Sequence, residues 1–316
     1  MLSAGAEVPT IAPPVLEDLS RVLGKVPLLS DSEQLIVRAE LDASSKLAAS
    51  SYPPAFIVGA MNRSGTNFLA DIIQLLPGWE LPALTEDYLL EHSDLLVEYV
   101  NRSDNRWKTR ISAEQRSAAV SYLGRGLLEF IRQHCESKHT RLIMKTPRPW
   151  GIENFDLLFP SAKLIIIVRD GRDTVESASR SFTYAPPRHW MRQWRNGAKT
   201  LLEFMATHRG AAGKNWTFVR YEDLVEHPRR CIPQILAFLG VDDGEFDWTK
   251  FDMLPLRGSS THRGSKRALH WEQVPKPAGF RPIDKWRAWS WWRKAQFKWI
   301  AGRELIDFGY ATDYGW

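Results

Sequence analysis

Short, nearly continuous apolar runs alternate along most of this chain with longer segments of helical spacing. The runs at 55–59, 141–145, 163–169 and 216–221 predict strands buried on both faces, since a strand with one wet face would alternate apolar and polar. Between them, residues 66–76, 87–100, 113–134, 172–181, 189–208 and 228–239 predict helices. Strand–helix alternation of this kind predicts an α/β fold: a P-loop-like, doubly wound parallel sheet flanked by helices, in a single domain with helical insertions. Prolines at 9, 13, 14 and 27 mark residues 1–30 as an irregular arm with one helical turn near 16–23, and 32–47 has helical composition. We therefore divide the chain into an N-terminal arm or helical extension at 1–50 and a domain at 51–316. Residues 244–285 are loop-like, rich in Arg, Ser, Gly and Pro, and a Trp-rich helix at 286–308 closes the chain.

The segment after the first strand, Gly59-Ala-Met-Asn-Arg-Ser-Gly-Thr66, almost matches a P-loop. The second Gly and the Lys of that pattern are Ser64 and Gly65 here, and the cation has moved to Arg63 inside the loop. A strand feeding such a loop at a helix N-terminus presents backbone N–H groups to an anion. The empty lysine position argues against a nucleoside triphosphate with Mg²⁺. A second strand–turn–helix, Leu164-Ile-Ile-Ile-Val-Arg-Asp-Gly-Arg-Asp-Thr-Val-Glu-Ser177, places Arg169 at a strand end and Ser177 on the following helix. Arg172 in that helix's first turn opposes the macrodipole, which predicts an anionic ligand beside it.

Composition adds little. The 316 residues carry a net charge of +5, which suits an anionic substrate, but no Lys/Arg block argues for nucleic acid. Cys135 and Cys231 are far apart and give neither a disulfide framework nor a zinc pattern. No signal peptide or membrane-spanning run is visible, so the expected setting is cytoplasmic.

From residue 54 to about 311 the chain resembles PAPS-dependent sulfotransferases (PAPS is 3′-phosphoadenosine 5′-phosphosulfate). Five blocks carry the resemblance in order: Arg63-Ser64-Gly65-Thr66; Lys145-Thr146-Pro147; Phe159-Pro160 with Arg169-Asp170-Gly171-Arg172; Tyr221-Glu222-Asp223-Leu224 with Phe238-Leu239-Gly240; and Arg257-Gly258-Ser259-Ser260 with Lys285-Trp286 and Gly309-Tyr310. The resemblance implies transfer of a sulfonyl group from PAPS, leaving PAP, to a hydroxyl or, less readily, an amine, with no metal. It implies that Arg63, Ser64, Gly65, Thr66 and Asn67 hold the 5′-phosphosulfate, that Arg169 and Ser177 hold the 3′-phosphate, and that Phe68 and Tyr221 flank the adenine. Lys285 would reach the phosphates, and Ser259 or Ser260 the sulfonate, Ser260 counting among the catalytic groups. Arg180 is a further basic residue on the same helix.

Arg63 and Lys145 are expected to stabilise the transition state. The His that many members carry two residues after the lysine is Pro147 here, so the base is expected to be Glu86, as in the branch with Arg in the loop, which includes tyrosylprotein sulfotransferases. The alternative for Thr85-Glu86-Asp87 is a cap on the next helix, with Asp87 as reserve base. The expected acceptor is a small molecule, glycan or lipid, with protein tyrosine as the alternative. A P-loop kinase and a non-catalytic adenosine-bisphosphate-binding module are the rival functions. The Trp-rich stretch leaves a membrane-surface contact open, but its indoles read as spread around the helix, which favours a buried helix.

Overall fold

The computed structural model describes residues 53–84, 86–137, 140–255 and 281–316. The expectations for the N-terminal arm, for Ser259 and Ser260 and for most of the 244–285 loop lie outside these residues. Five parallel strands form one sheet: β1 Ala55–Gly59, β2 Trp79–Glu80, β3 Arg141–Thr146, β4 Lys163–Val168 and β5 Trp216–Arg220. Their order is β2-β3-β1-β4-β5. From central β1 the chain runs to β2 and β3 on one side, then crosses from β3 to β4 and β5 on the other, so the winding reverses beside β1. In such sheets the crevice at the carboxyl ends of the strands is where ligands bind.

The helices are α1 Thr66–Ile73, α2 Ser93–Asp104, α3 Ala113–Arg132, α4 Phe155–Leu158, α5 Gly171–Ser181, α6 Pro187–Thr207, α7 Tyr221–Glu226, α8 Pro228–Leu239, α9 Trp248–Asp252 and α10 Trp291–Asp307. Alternate strand residues feed two cores. Phe56, Val58, Leu164 and Ile166 pack with α5, α6 and α10 on one face. Ala55, Ile57, Ile165 and Ile167 pack with α1 and α8 on the other. Burial on both faces explains why these strands read as unbroken apolar runs. Local chemistry sets several helix ends: a Ser112–Gln115 capping box starts α3, and Pro228 starts α8, which ends at left-handed Gly240.

Three expectations are corrected. The helix predicted from Asp87 starts at Ser93, because Asp87 is tied to β3 instead: its N–H donates to the Lys145 carbonyl at 3.2 Å and its Oδ1 accepts from Thr146 Oγ1 at 2.9 Å. The continuous helix predicted from 286 is broken into a 3₁₀ turn, Lys285–Ala288, and α10, capped by Ser290. Its indoles are not spread evenly: Trp286 and Trp289 are buried, while Trp291, Trp292 and Trp299 are exposed along α10.

Candidate functional site

The loop between β1 and α1 folds around its small residues. Ser64 closes it twice, donating its N–H to the Met61 carbonyl (3.2 Å) and accepting the Met61 N–H on Oγ (3.3 Å). Its polar groups therefore shape the loop from inside. Arg63 (φ 79°) and Gly65 (φ 101°) both adopt left-handed backbone. At Gly65 a Cβ would lie 2.3 Å from Cδ2 of Tyr221, so glycine is required by conformation and by space. No side chain caps α1, and Gly65, Thr66 and Asn67 line the cavity at its N-terminus. The uncapped first turn and the helix dipole suit an anion there.

Two guanidinium groups converge beside this loop. Arg63 Nε donates to Ser177 Oγ at 3.0 Å. Arg169, at the end of β4, donates to the carbonyls of Arg63 (3.2 Å) and Pro282 (2.6 Å) and lies 4.9 Å from the Tyr221 ring centroid. Its Nε is buried with no hydrogen-bond partner among the described residues. Burial, and next the Arg169 charge, hold the Arg63 pKa down to about 10. Among the described residues neither arginine forms an ion pair with a carboxylate. Adjacent cations so enclosed are costly unless an anion joins them. Half-buried Lys285 feels the same field: burial and then Arg169 lower its pKa.

The neighbouring strand end supplies the third cation. Lys145 is buried on β3, and its ammonium donates to the Asn67 side chain on α1. Arg63 thus sits in the Arg169–Ser177 corner, while Lys145 stands with Asn67. Glu86 lines the cavity and accepts the Tyr88 hydroxyl hydrogen bond on Oε2. Tyr88 has left-handed backbone (φ 50°). Burial, and next the hydrogen bond to Glu86, push its phenol pKa up. The capping alternative fails, since the next helix begins only at Ser93. Asp87, the reserve base, is held against β3 by Thr146, and burial raises its pKa despite the hydrogen bonds it accepts.

Arg63, Thr66, Asn67, Glu86 and Arg169 open on one cavity of about 290 Å³, whose lining does not include Lys145, Ser177 or Lys285. The polar residues of its lining include Arg63, Thr66, Asn67, Asp71, Glu86, Arg169 and Asp252, and the apolar ones include Phe68, Tyr221, Leu224, Val225, Phe251 and Leu254. Phe68 meets Tyr221 edge-on at 6.0 Å and Phe251 at 6.4 Å. Cations beside aromatic rings suit an anionic ligand that also carries a flat ring. Sequence reasoning missed Phe251 and Leu254, which lie in a segment without periodicity, and the Pro282 carbonyl, which has no side-chain signature.

Arg172 is a correction. It is buried, paired with its own N-cap Asp170 (Nη2–Oδ2 2.6 Å) and placed 3.6 Å from the Trp286 ring centroid and 4.4 Å from that of Trp316. The neighbouring carboxylate and indoles account for this cation without a ligand. Arg180, itself exposed, pairs at 2.7 Å with Glu176, which is buried.

A parallel doubly wound sheet, an uncapped helix start after its central strand and aromatic rings beside it define an α/β protein with a cavity suited to an anion. The sulfotransferase family model matches residues 53–245, and the chain belongs to that family. It is 28% identical over 250 residues to a protein-tyrosine sulfotransferase of Drosophila melanogaster, covering 74% of this chain but 47% of that one. It is 26% identical over 271 residues to protein-tyrosine sulfotransferase 1 of Danio rerio, covering 82% and 73% respectively. The sulfotransferase domain of the Synechococcus PCC 7002 olefin synthase shares the fold, with a TM-score of 0.52 and 22% identity over 83% of this chain and 96% of that domain. The family assignment displaces the kinase alternative.

Proposed function

We propose that this protein transfers the sulfonyl group of PAPS to a hydroxyl, and that the acceptor is a phenol of the tyrosine type. The observation that carries the nucleotide reading is the Arg63–Arg169 pair, enclosed together and bonded to a serine and to carbonyls rather than to carboxylates. Phosphate at the Arg169–Ser177 corner satisfies both charges, and the purine lies between Phe68, Tyr221 and Phe251. The uncapped start of α1 and Lys145 then face the phosphosulfate. The names of the two relatives support a tyrosine acceptor over the sugar or lipid expected from sequence.

In the transfer, the acceptor oxygen bonds to sulfur as the bond from sulfur to the bridging oxygen breaks. Glu86 takes the hydroxyl proton, held in place by Tyr88. The Lys145 ammonium, fixed by Asn67, meets the charge growing on the bridging oxygen. The test is calorimetric binding of adenosine 3′,5′-bisphosphate and ATP, each with and without Mg²⁺, followed by transfer of labelled sulfonate from PAPS to a tyrosine peptide and to a sugar. Metal-independent bisphosphate binding and labelling of the peptide are expected. Binding of ATP alone overturns the nucleotide reading; labelling of the sugar alone overturns the acceptor.

A further inference from the structure

The last helix carries a feature the transfer reaction does not use. Trp291, Trp292 and Trp299 are 76%, 64% and 84% exposed, although indole is among the largest apolar surfaces a chain can bury. Their spacing puts them together. Trp291, Ala295 and Trp299 follow i, i+4, i+8, and Trp292, Ala295 and Trp299 follow i, i+3, i+7, so all four share one stripe. Ala295 is exposed as well, and the stripe runs about 12 Å along the helix. The opposite side, with Phe297, Ile300 and Leu305, is buried in the core, so the helix is anchored and the indoles face outward.

Charge says what suits this face. Between Asp284 and Glu304 the chain has six basic residues and no acidic one. Arg287 and Arg293 are neutralised by Asp284 and Glu176, both at 2.9 Å. Lys294 and Lys298 form no ion pair among the described residues and lie at the flank of the stripe, 5.4 Å from the Trp286 ring and 4.9 Å from the Trp316 ring. Indoles partition into the headgroup region of a bilayer, where ring and N–H are both satisfied, and lysines beside them add attraction to anionic lipid. A single convex row on a rigid helix matches a planar surface better than a partner's pocket. No described helix is long and apolar enough to cross a membrane.

We propose that the Trp291–Trp292–Trp299 face of α10, with Lys294 and Lys298, docks this protein on an anionic lipid surface. Co-sedimentation of the full chain with vesicles tests it, comparing phosphatidylcholine alone with phosphatidylcholine containing phosphatidylserine at 0.1 M and 0.5 M salt. Binding is expected to need phosphatidylserine and to weaken at the higher salt. Replacing all three indoles with alanine is expected to lower partitioning at least about tenfold, and the pair Lys294→Glu and Lys298→Glu to lower it about as much. Unchanged thermal melting of both variants shows that the fold is kept. A double variant, Trp291→Ala with Trp299→Ala, serves if the triple variant fails to fold. Absence of vesicle binding by the wild type, or binding unaltered in the folded variants, overturns the proposal. So does a wild-type dimer in sedimentation velocity that the indole variants dissociate, because the stripe then belongs to a second copy of the chain.

Discussion

Arg63 and Ser177 stand 114 positions apart and meet at 3.0 Å, the guanidinium Nε donating to the hydroxyl. The contact joins the loop after β1 to α5 and sets one side of the proposed phosphate corner; Arg169 sets the other. Arg169→Ala removes a cation bonded to two carbonyls and should weaken adenosine 3′,5′-bisphosphate binding about 100-fold, as expected for a lost charged hydrogen-bond donor. Arg169→Lys should recover little, because one ammonium cannot span the carbonyls and a phosphate as a planar fork does. Ser177→Ala removes a neutral partner and should cost roughly tenfold or less. Calorimetry ranks the three, and an Arg169→Ala variant that binds like the wild type would falsify the corner.

Gly65→Ala is expected to damage the loop in two separable ways. The φ of 101° disfavours any side chain, and the new methyl would strike the Tyr221 ring. Stability should fall by about 2 kcal/mol and nucleotide binding should be lost with it. Adding Tyr221→Ala relieves the collision and leaves the backbone strain, so the double variant should melt above the sum expected of the two single changes. Additive melting shifts would place the whole effect in the backbone.

Glu86 and Tyr88 divide the proposed base between a group that takes the proton and one that positions it. Glu86→Gln keeps the size of the side chain and should lower kcat about 10²- to 10⁴-fold while bisphosphate affinity stays the same. Tyr88→Phe frees the carboxylate oxygen from its hydrogen bond. Its kcat should fall by less than that of Glu86→Gln, with bisphosphate affinity again unchanged, because the base is present but no longer held in place. Steady-state kinetics and calorimetry of both variants check this; a Tyr88→Phe kcat equal to that of the wild type would remove the tyrosine from the positioning role.

The parts of this site that could be read beforehand were those whose chemistry is local. A strand followed by Arg-Ser-Gly-Thr states its own geometry, and the ends of β1, β3, β4 and β5 fall within a residue of the pattern. β2 could not be read, since two residues have no period; pairing with β3 and the Gly78 carbonyl, which accepts the Arg141 N–H at 2.7 Å, hold it in place. Arg172 was misjudged because the indoles that enclose it come from the far end of the chain. The Asp87 segment looked helical because its hydrogen bonds to β3 leave no trace in composition. Phe251, on the five-residue helix α9, and the Pro282 carbonyl complete the site from segments too short or irregular to show a period.

Glu222 supplies a pH dependence of unusual sign. Burial, the largest cause, raises its pKa from 4.5 to about 7. Hydrogen counting agrees. The Tyr310 hydroxyl lies 2.9 Å from both the Val168 carbonyl and Glu222 Oε2, yet it has one hydrogen for two acceptors. If Glu222 carries a proton, it donates to the tyrosine oxygen, the tyrosine donates to Val168, and the Asp170 N–H still has a Glu222 oxygen at 2.9 Å. The folded state therefore binds more protons than the unfolded one between these two pKa values. The contribution of this group is full below pH 4.5 and is lost as pH rises through 7. Glu222→Gln keeps the donor to Tyr310 and the acceptor for Asp170 at every pH. It should match the wild type near pH 5 and exceed it by on the order of 2 kcal/mol at pH 8. Denaturant unfolding of both proteins across that range checks the sign: parallel stability curves would show that Glu222 is ionised in the fold throughout.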